Sequence, residues 1–172
     1  MTLAPEAGSE KIRHIINKGI EEEHLFKSIS MGINAGVKNY RLYIMVGLPN
    51  EDENDIKAIV DMTICLKQYM EKLGSKGTLT LSINPFIAKP CTPFQWSAMA
   101  DLKQTEKYFK YIKSELKKYK NIEVQFESTK ESFIQGILAR GDRKISQVIY
   151  EAHLNGGSKA FKRALKTFKI NA

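Results

Sequence analysis

Hydrophobic positions along the chain change period several times, and each change marks an element. Thr2–Ala4 reads as the last residues of a strand, and Pro5–Ser9 as a loop whose Ser9 can N-cap a short helix over Glu10–Asn17. Glu21–Ala35 carries Leu25, Phe26, Ile29, Met31 and Ile33 at helical spacing and stops at Gly36. Tyr40–Val46 (YRLYIMV) is β-rich and nearly continuous in apolar character, which predicts a strand covered on both faces of a parallel sheet. Asn50 followed by Glu53 resembles a capping box, and the helix it opens runs to about Leu73 with Gly74 beyond. Ile56, Ile59, Val60, Thr63, Leu66, Met70 and Leu73 fall on one face of it.

Thr78–Phe86 reads as the next strand and Ile87–Ala100, with two prolines and Trp96, as a loop. Asp101–Tyr119 predicts a Lys-rich amphipathic helix, Ile122–Phe126 a short strand, and Lys130–Leu138, Asp142–Leu154 and Ser158–Phe168 three closing helices. Alternation of strand and helix predicts an α/β fold of right-handed βαβ units and a parallel sheet. Such sheets bind ligands at the carboxyl ends of their strands, here Pro5–Ser9, Gly47–Glu51, Asn84–Trp96 and Glu127–Glu131.

With 172 residues, 42% hydrophobic and 27% charged, the chain is long enough for a sizeable core, and its composition excludes disordered and collagen-like classes. The 27 Lys+Arg against 19 Asp+Glu give a formal charge of +8; the first hundred residues carry eleven of each sign, so all of it lies in residues 101–172. Cys65 and Cys91 are too few for a disulfide framework or a four-cysteine metal site, and lone thiols fit a reducing cytosol. The start has no charged region followed by an apolar run, and no stretch is apolar enough to span a bilayer. A cytoplasmic protein without membrane contact is the expectation.

The strand-end loops admit plain and chemical readings side by side. Gly47-Leu48-Pro49 is either an ordinary strand-to-helix turn or a backbone able to approach a ligand, since Gly47 has no Cβ. Ser9 is either a cap alone or, with Glu6, a grip for hydroxyls. Lys18, before Gly19, is either a solvated charge or a partner for an anion. Cys65, beside the apolar stripe, reads as a core thiol and Cys91 as more exposed; His14, His24 and His153 lack ligand spacing and read as ordinary helix residues.

As a set, three segments resemble the radical S-adenosylmethionine (SAM) enzymes. PEAGSEKIRHIINKGI resembles the stretch around their fourth strand, with its "ESGS…NKG"-like pattern, and YRLYIMVGLPNEDENDI resembles the fifth strand and its "IxGLPxET" turn. TLSINPFIAKPCTPFQW is similar to the sixth strand with its "PxxPxPxTPF" tail, and the likeness covers roughly Thr2–Trp96. Residues 128–153, STKESFIQGILARGDRKISQVIYEAH, are similar to a segment downstream of the barrel in one bacterial subfamily.

The resemblance implies the C-terminal half of a partial (β/α)6 TIM-like barrel over residues 1–127, followed by a basic helical extension over 128–172. It implies that Glu6 would hold the SAM ribose with Ser9 nearby, and that Lys18 would meet the methionine carboxylate. Val46, Gly47, Leu48 and Pro49 would pack against the adenine, and Asn84, Pro85 and Phe86 would offer it backbone groups. Tyr43 stands where one member of the family has an acidic ribose ligand. In the whole enzyme, a 4Fe-4S cluster would reduce SAM to a 5′-deoxyadenosyl radical. The family's CxxxCxxC cluster motif is absent, so this chain alone is expected to bind neither cluster nor SAM and to be inactive without the N-terminal half of the barrel. That half would cover a sheet edge through which the isolated chain is expected to self-associate.

A second class of function rests on the basic third. Lys103, Lys107, Lys110, Lys113 and Lys117 recur at helical spacing, and Arg140, Arg143, Lys144, Lys159, Lys162, Arg163, Lys166 and Lys169 add to them. They suit either a solvated surface or the phosphates of an RNA, which would make the chain a stand-alone α/β nucleic-acid-binding module. Asp142 is expected to cap the helix that follows it.

Overall fold

The computed structural model describes residues 1–170, which form two compact units. The first comprises Met1–Phe86 and Ala100–Glu127. Its strands are β1 (Thr2–Glu6), β2 (Tyr40–Val46), β3 (Leu79–Pro85) and β4 (Ile122–Phe126), all parallel and in the order β1-β2-β3-β4. Between them run α1 (Glu10–Ile15), α2 (Glu22–Asn34), α3 (Glu53–Lys72) and α4 (Leu102–Leu116). The α/β class is therefore as expected. A sheet wound in sequence order, without the reversal of doubly wound folds, is open at β1 and β4.

The core lies on one side of this sheet. Tyr40, Leu42, Ile44 and Val46 of β2 and Leu79, Leu81 and Ile83 of β3 join Leu25 and Ile29 of α2, the stripe Ile56–Met70 of α3, and Phe109, Ile112 and Leu116 of α4. Alternation places the intervening residues on the other side. Tyr43 is 41% exposed, and Arg41 and Met45 are half-buried. The expectation that β2 is covered on both faces is thus corrected: its continuous apolar reading conceals a polar face shared with Thr80, Ser82 and Asn84.

Local signals set most element ends. Ser9 caps α1 by accepting the Ile12 N–H. The cap of α3 falls two residues later than the Asn50–Glu53 pattern suggests: Asp52 accepts the N–H groups of Asn54 and Asp55, while Asp55 accepts that of Asp52. Asn50 instead adopts a left-handed φ of 63° before the helix. Strand β1 runs to Glu6, past the expected Ala4, with a register shift between Leu3 and Glu6 that accommodates Pro5 at a sheet edge.

The second unit comprises Ile87–Met99 and Ser128 onward. The proline-rich segment thus groups with the helical part, not with residues 1–127 as expected, and the last two residues of the expected extension lie outside the described residues. Its helices are α5 (Thr129–Arg140), α6 (Ile145–Leu154) and α7 (Phe161–Thr167). Ile145, Val148 and Ala152 of α6 pack with Phe161, Ala164 and Leu165 of α7, forming a separate small core. Asp142 does not cap α6; it accepts the Lys144 N–H at 2.8 Å, and the helix begins at Ile145. The single helix expected over Ser158–Phe168 is split into a 3-10 turn, Gly157–Lys159, and α7.

Candidate functional site

The loops after β1 and β2 meet at the carboxyl end of the sheet. Glu6 ends β1 with a left-handed φ of 67°, and its carboxylate lies 3.2 Å from Lys18 Nζ, twelve residues on. Both side chains stay accessible, 24% and 30% exposed respectively. Two of the residues singled out from the sequence are therefore joined as an ion pair.

Ser9 belongs to a neighbouring network. Its Oγ donates to Asp55 Oδ1 at 2.6 Å, and Asp55 Oδ2 receives Lys11 Nζ at 2.6 Å. Lys11 also reaches Asp52 at 3.0 Å. These contacts raise the pKa of Lys11, through Asp55 first and Asp52 second, and Lys11 in turn lowers that of Asp52. The arrangement ties the β1 loop to the first turn of α3.

Beneath the loop lies Arg13, which is buried. Its Nε donates to Ile20 O at 2.7 Å and its Nη1 to Ala7 O and Gly8 O at 3.0 and 2.8 Å, fixing the backbone between Glu6 and Ser9. Burial lowers its pKa, and the Glu10 carboxylate 3.6 Å away opposes that shift. Gly8 is required by close approach, because a Cβ there would sit 2.2 Å from the backbone nitrogen of Ile59.

After β2, Gly47 has φ +89°, and a Cβ built on it would lie 2.3 Å from that of Ala100. Its N–H donates to the carboxylate of Glu51, whose pKa burial pushes up to about 7. The glycine is thus accounted for by backbone conformation and by Ala100. Val46 and Leu48 are buried, and Pro49 is half-buried. On β3, Asn84 is half-buried on the polar face opposite Met45, Pro85 pairs with Val46, and Phe86 donates its N–H to Val46 O at 2.8 Å.

Arg13, Lys11, Asp55 and Glu51 were not singled out from the sequence. Arg13 reads there as one more surface cation of a short helix, and only the loop carbonyls it holds show otherwise. Asp55 carries a visible signal, an acidic residue at the start of a capped helix, but its hydroxyl partner is 46 residues away.

Cys65 is exposed, like Cys91, and is not the core thiol expected; it stands on α3 between the half-buried Ile64 and the buried Leu66, facing outward. Among the described residues, no group of three or more His, Cys, Asp or Glu is placed to hold a metal. His24 caps locally, accepting the Glu21 N–H at 3.0 Å. The five lysines of the α4 series are exposed, opposite the buried Thr105, Phe109, Ile112 and Leu116. No helix among the described residues is long and apolar enough to cross a membrane.

Comparison with known proteins yields one archaeal relative. A Methanocaldococcus jannaschii protein described as uncharacterized is 38% identical over 149 residues, covering 87% of this chain. The chain spans about a third of that relative's length, 32%. No family model matches, and no solved structure matches.

Proposed function

We propose that this chain is the SAM-contacting part of a cytoplasmic radical SAM enzyme, with strands outside it completing a partial barrel. The observation that carries the reading is the Glu6–Lys18 pair, which joins the two motif residues expected to grip opposite ends of SAM. A partly exposed ion pair is worth only about 0–1 kcal/mol, so a ligand can open it at little cost. Glu6 would then accept ribose hydroxyls, and Lys18 would donate to the methionine carboxylate.

Ser9 serves this site through Asp55, by holding the loop on α3. With Val46, Leu48 and Pro85 buried and the Phe86 N–H engaged, adenine contact falls to Gly47, Pro49 and the carboxyl end of β3 at Asn84.

A 4Fe-4S cluster does not fit this chain's own residues: its two thiols are exposed, 26 positions apart, and without a third ligand. On this reading the cluster ligands, and the substrate's reaction, belong to residues outside it.

The longer archaeal relative provides the test. Purified anaerobically and supplied with iron and sulfide, it is expected to show iron–sulfur absorption and, with a strong reductant, to convert SAM to 5′-deoxyadenosine. A relative without a CxxxCxxC segment preceding the shared region, or one that yields no 5′-deoxyadenosine, would overturn the proposal.

A further inference from the structure

In the α/β unit, all the helices that build the core lie on one face of the sheet, and register fixes what stands on the other. Arg41, Tyr43 and Met45 of β2 lie beside Thr80, Ser82 and Asn84 of β3, and Thr80 and Ser82 lie beside Glu123 and Gln125 of β4. Parallel sheets ordinarily present apolar side chains on both faces. A face this polar spends hydrophobic burial on something else.

Arg41 is at its centre. Its Nη1 donates to Ser82 Oγ and, at 2.7 Å, to Gln125 Oε1, so two neutral side chains from two strands hold the guanidinium. Among the described residues, Arg41 makes no ion pair, and its Nε and Nη2 make no hydrogen bond. Other cations in the polar networks of this unit contrast with it: Lys11 has Asp52 and Asp55, Arg13 has Glu10, Lys18 has Glu6 and Lys67 has Glu71. Glu123, in the same cross-strand row, is exposed and makes no ion pair with Arg41, which reaches across to Gln125 of the same strand instead. A positioned guanidinium with unneutralised charge and an open donor edge matches an oxyanion that presents two oxygens to two parallel N–H groups. Tyr43, two residues along on the same face and 41% exposed, adds a phenolic donor.

We propose that Arg41, with Ser82, Gln125 and Tyr43, forms a subsite on the open sheet face that binds the carboxylate or phosphate group of a small molecule. Arg41 is three residues before Ile44, the register partner of Glu6, roughly 10 Å along the sheet. The subsite therefore neighbours the Glu6–Lys18 pair without sharing a residue with it, and it stands on sheet geometry whether or not that pair binds SAM.

The test is a titration of the full 172-residue chain, followed by NMR of backbone amides and arginine Nε–Hε groups, with inorganic phosphate and acetate in separate arms. Sodium chloride holds the ionic strength constant. Saturable shifts are expected at Arg41 Nε–Hε and at the amides of Ser82 and Gln125, and the arm with tighter binding identifies the preferred anion. R41Q is expected to weaken binding about tenfold or more, and R41K less, because a lysine keeps the charge without the fork. Unchanged amide spectra elsewhere show that both variants are folded. Equal shifts in R41Q, shifts confined to the lysines of α4, or no saturation in either arm would overturn the proposal. So would shifts at these residues that follow protein concentration and not anion, because a second copy would then cover the face. The SAM reading is tested separately, in the longer archaeal relative, so the failure of either is distinguishable from the failure of the other.

Discussion

Ser9 Oγ donates a 2.6 Å hydrogen bond to Oδ1 of Asp55, linking the loop after β1 to the first turn of α3 across 46 residues of sequence. Asp55 is only 5% exposed and also serves Lys11 and the Asp52 N–H, so three groups depend on one carboxylate. Asp55→Ala is expected to destabilise the chain by about 2–4 kcal/mol, because the helix loses part of its capping box and the half-buried Ser9 hydroxyl loses its acceptor. Ser9→Ala should cost less, about 1 kcal/mol, since Asp55 keeps two partners. Urea denaturation checks both, and equal losses would refute the assigned hierarchy.

Glu51 gives a pH dependence of definite sign. Burial raises its folded pKa to about 7 from an ordinary 4.5, so between these values the folded state holds a proton that the unfolded state has released. Its contribution to stability therefore falls as pH rises through this window, by on the order of 2–3 kcal/mol. Glu51→Gln retains an acceptor for the Gly47 N–H and removes the titration. It should match the parent near pH 4.5 and exceed it above pH 7, as read from melting curves across the range.

The alternation of strand and helix, β2, β4 and the helix capped by Ser9 were legible because each rests on local signals: β-rich runs, caps and terminal glycines. Tyr40–Val46 was misread as doubly covered because aromatic and sulfur-containing residues at 43 and 45 look apolar in a window, and only the cross-strand neighbours Ser82 and Asn84 reveal their side of the sheet. Cys65 was misplaced for a related reason. It adjoins the α3 stripe in sequence but lies one helical step, about 100°, around the axis from Leu66. At the candidate site, Glu6 and Lys18 were visible through motif resemblance, whereas Arg13 and Asp55 act through partners that spacing does not display.

Gly47 tests whether the turn after β2 is conformational in origin. Alanine there faces an unfavourable φ of +89°, about 1–2 kcal/mol, and a collision with Ala100 worth roughly 1–3 kcal/mol. Gly47→Ala should therefore cost about 2–5 kcal/mol. Adding Ala100→Gly should recover the steric part only. A double variant as stable as the parent would show that φ carries no strain here.

Exposure of Cys65 is checked with a thiol reagent under native conditions. Both Cys65 and Cys91 are expected to react without denaturant, at rates within about tenfold of a free thiol, since neither is shielded. If one thiol reacts only in urea and peptide mapping identifies it as Cys65, that face of α3 is covered in solution.

The Glu6–Lys18 pair separates stability from binding. Because the pair is partly exposed, Glu6→Gln and Lys18→Met should each change folding stability by no more than about 1 kcal/mol. If the two groups grip SAM, each loses a charge-assisted hydrogen bond worth about 1.5–3 kcal/mol, so SAM affinity in the whole enzyme should drop roughly tenfold to a hundredfold. The losses differ in kind: Lys18→Met should lose discrimination for the methionine carboxylate, and Glu6→Gln should weaken adenosine as well as SAM. Competition with adenosine and with methionine resolves these patterns. A variant that is destabilised by several kcal/mol while SAM binding is unchanged would assign the pair to the fold and remove it from the site.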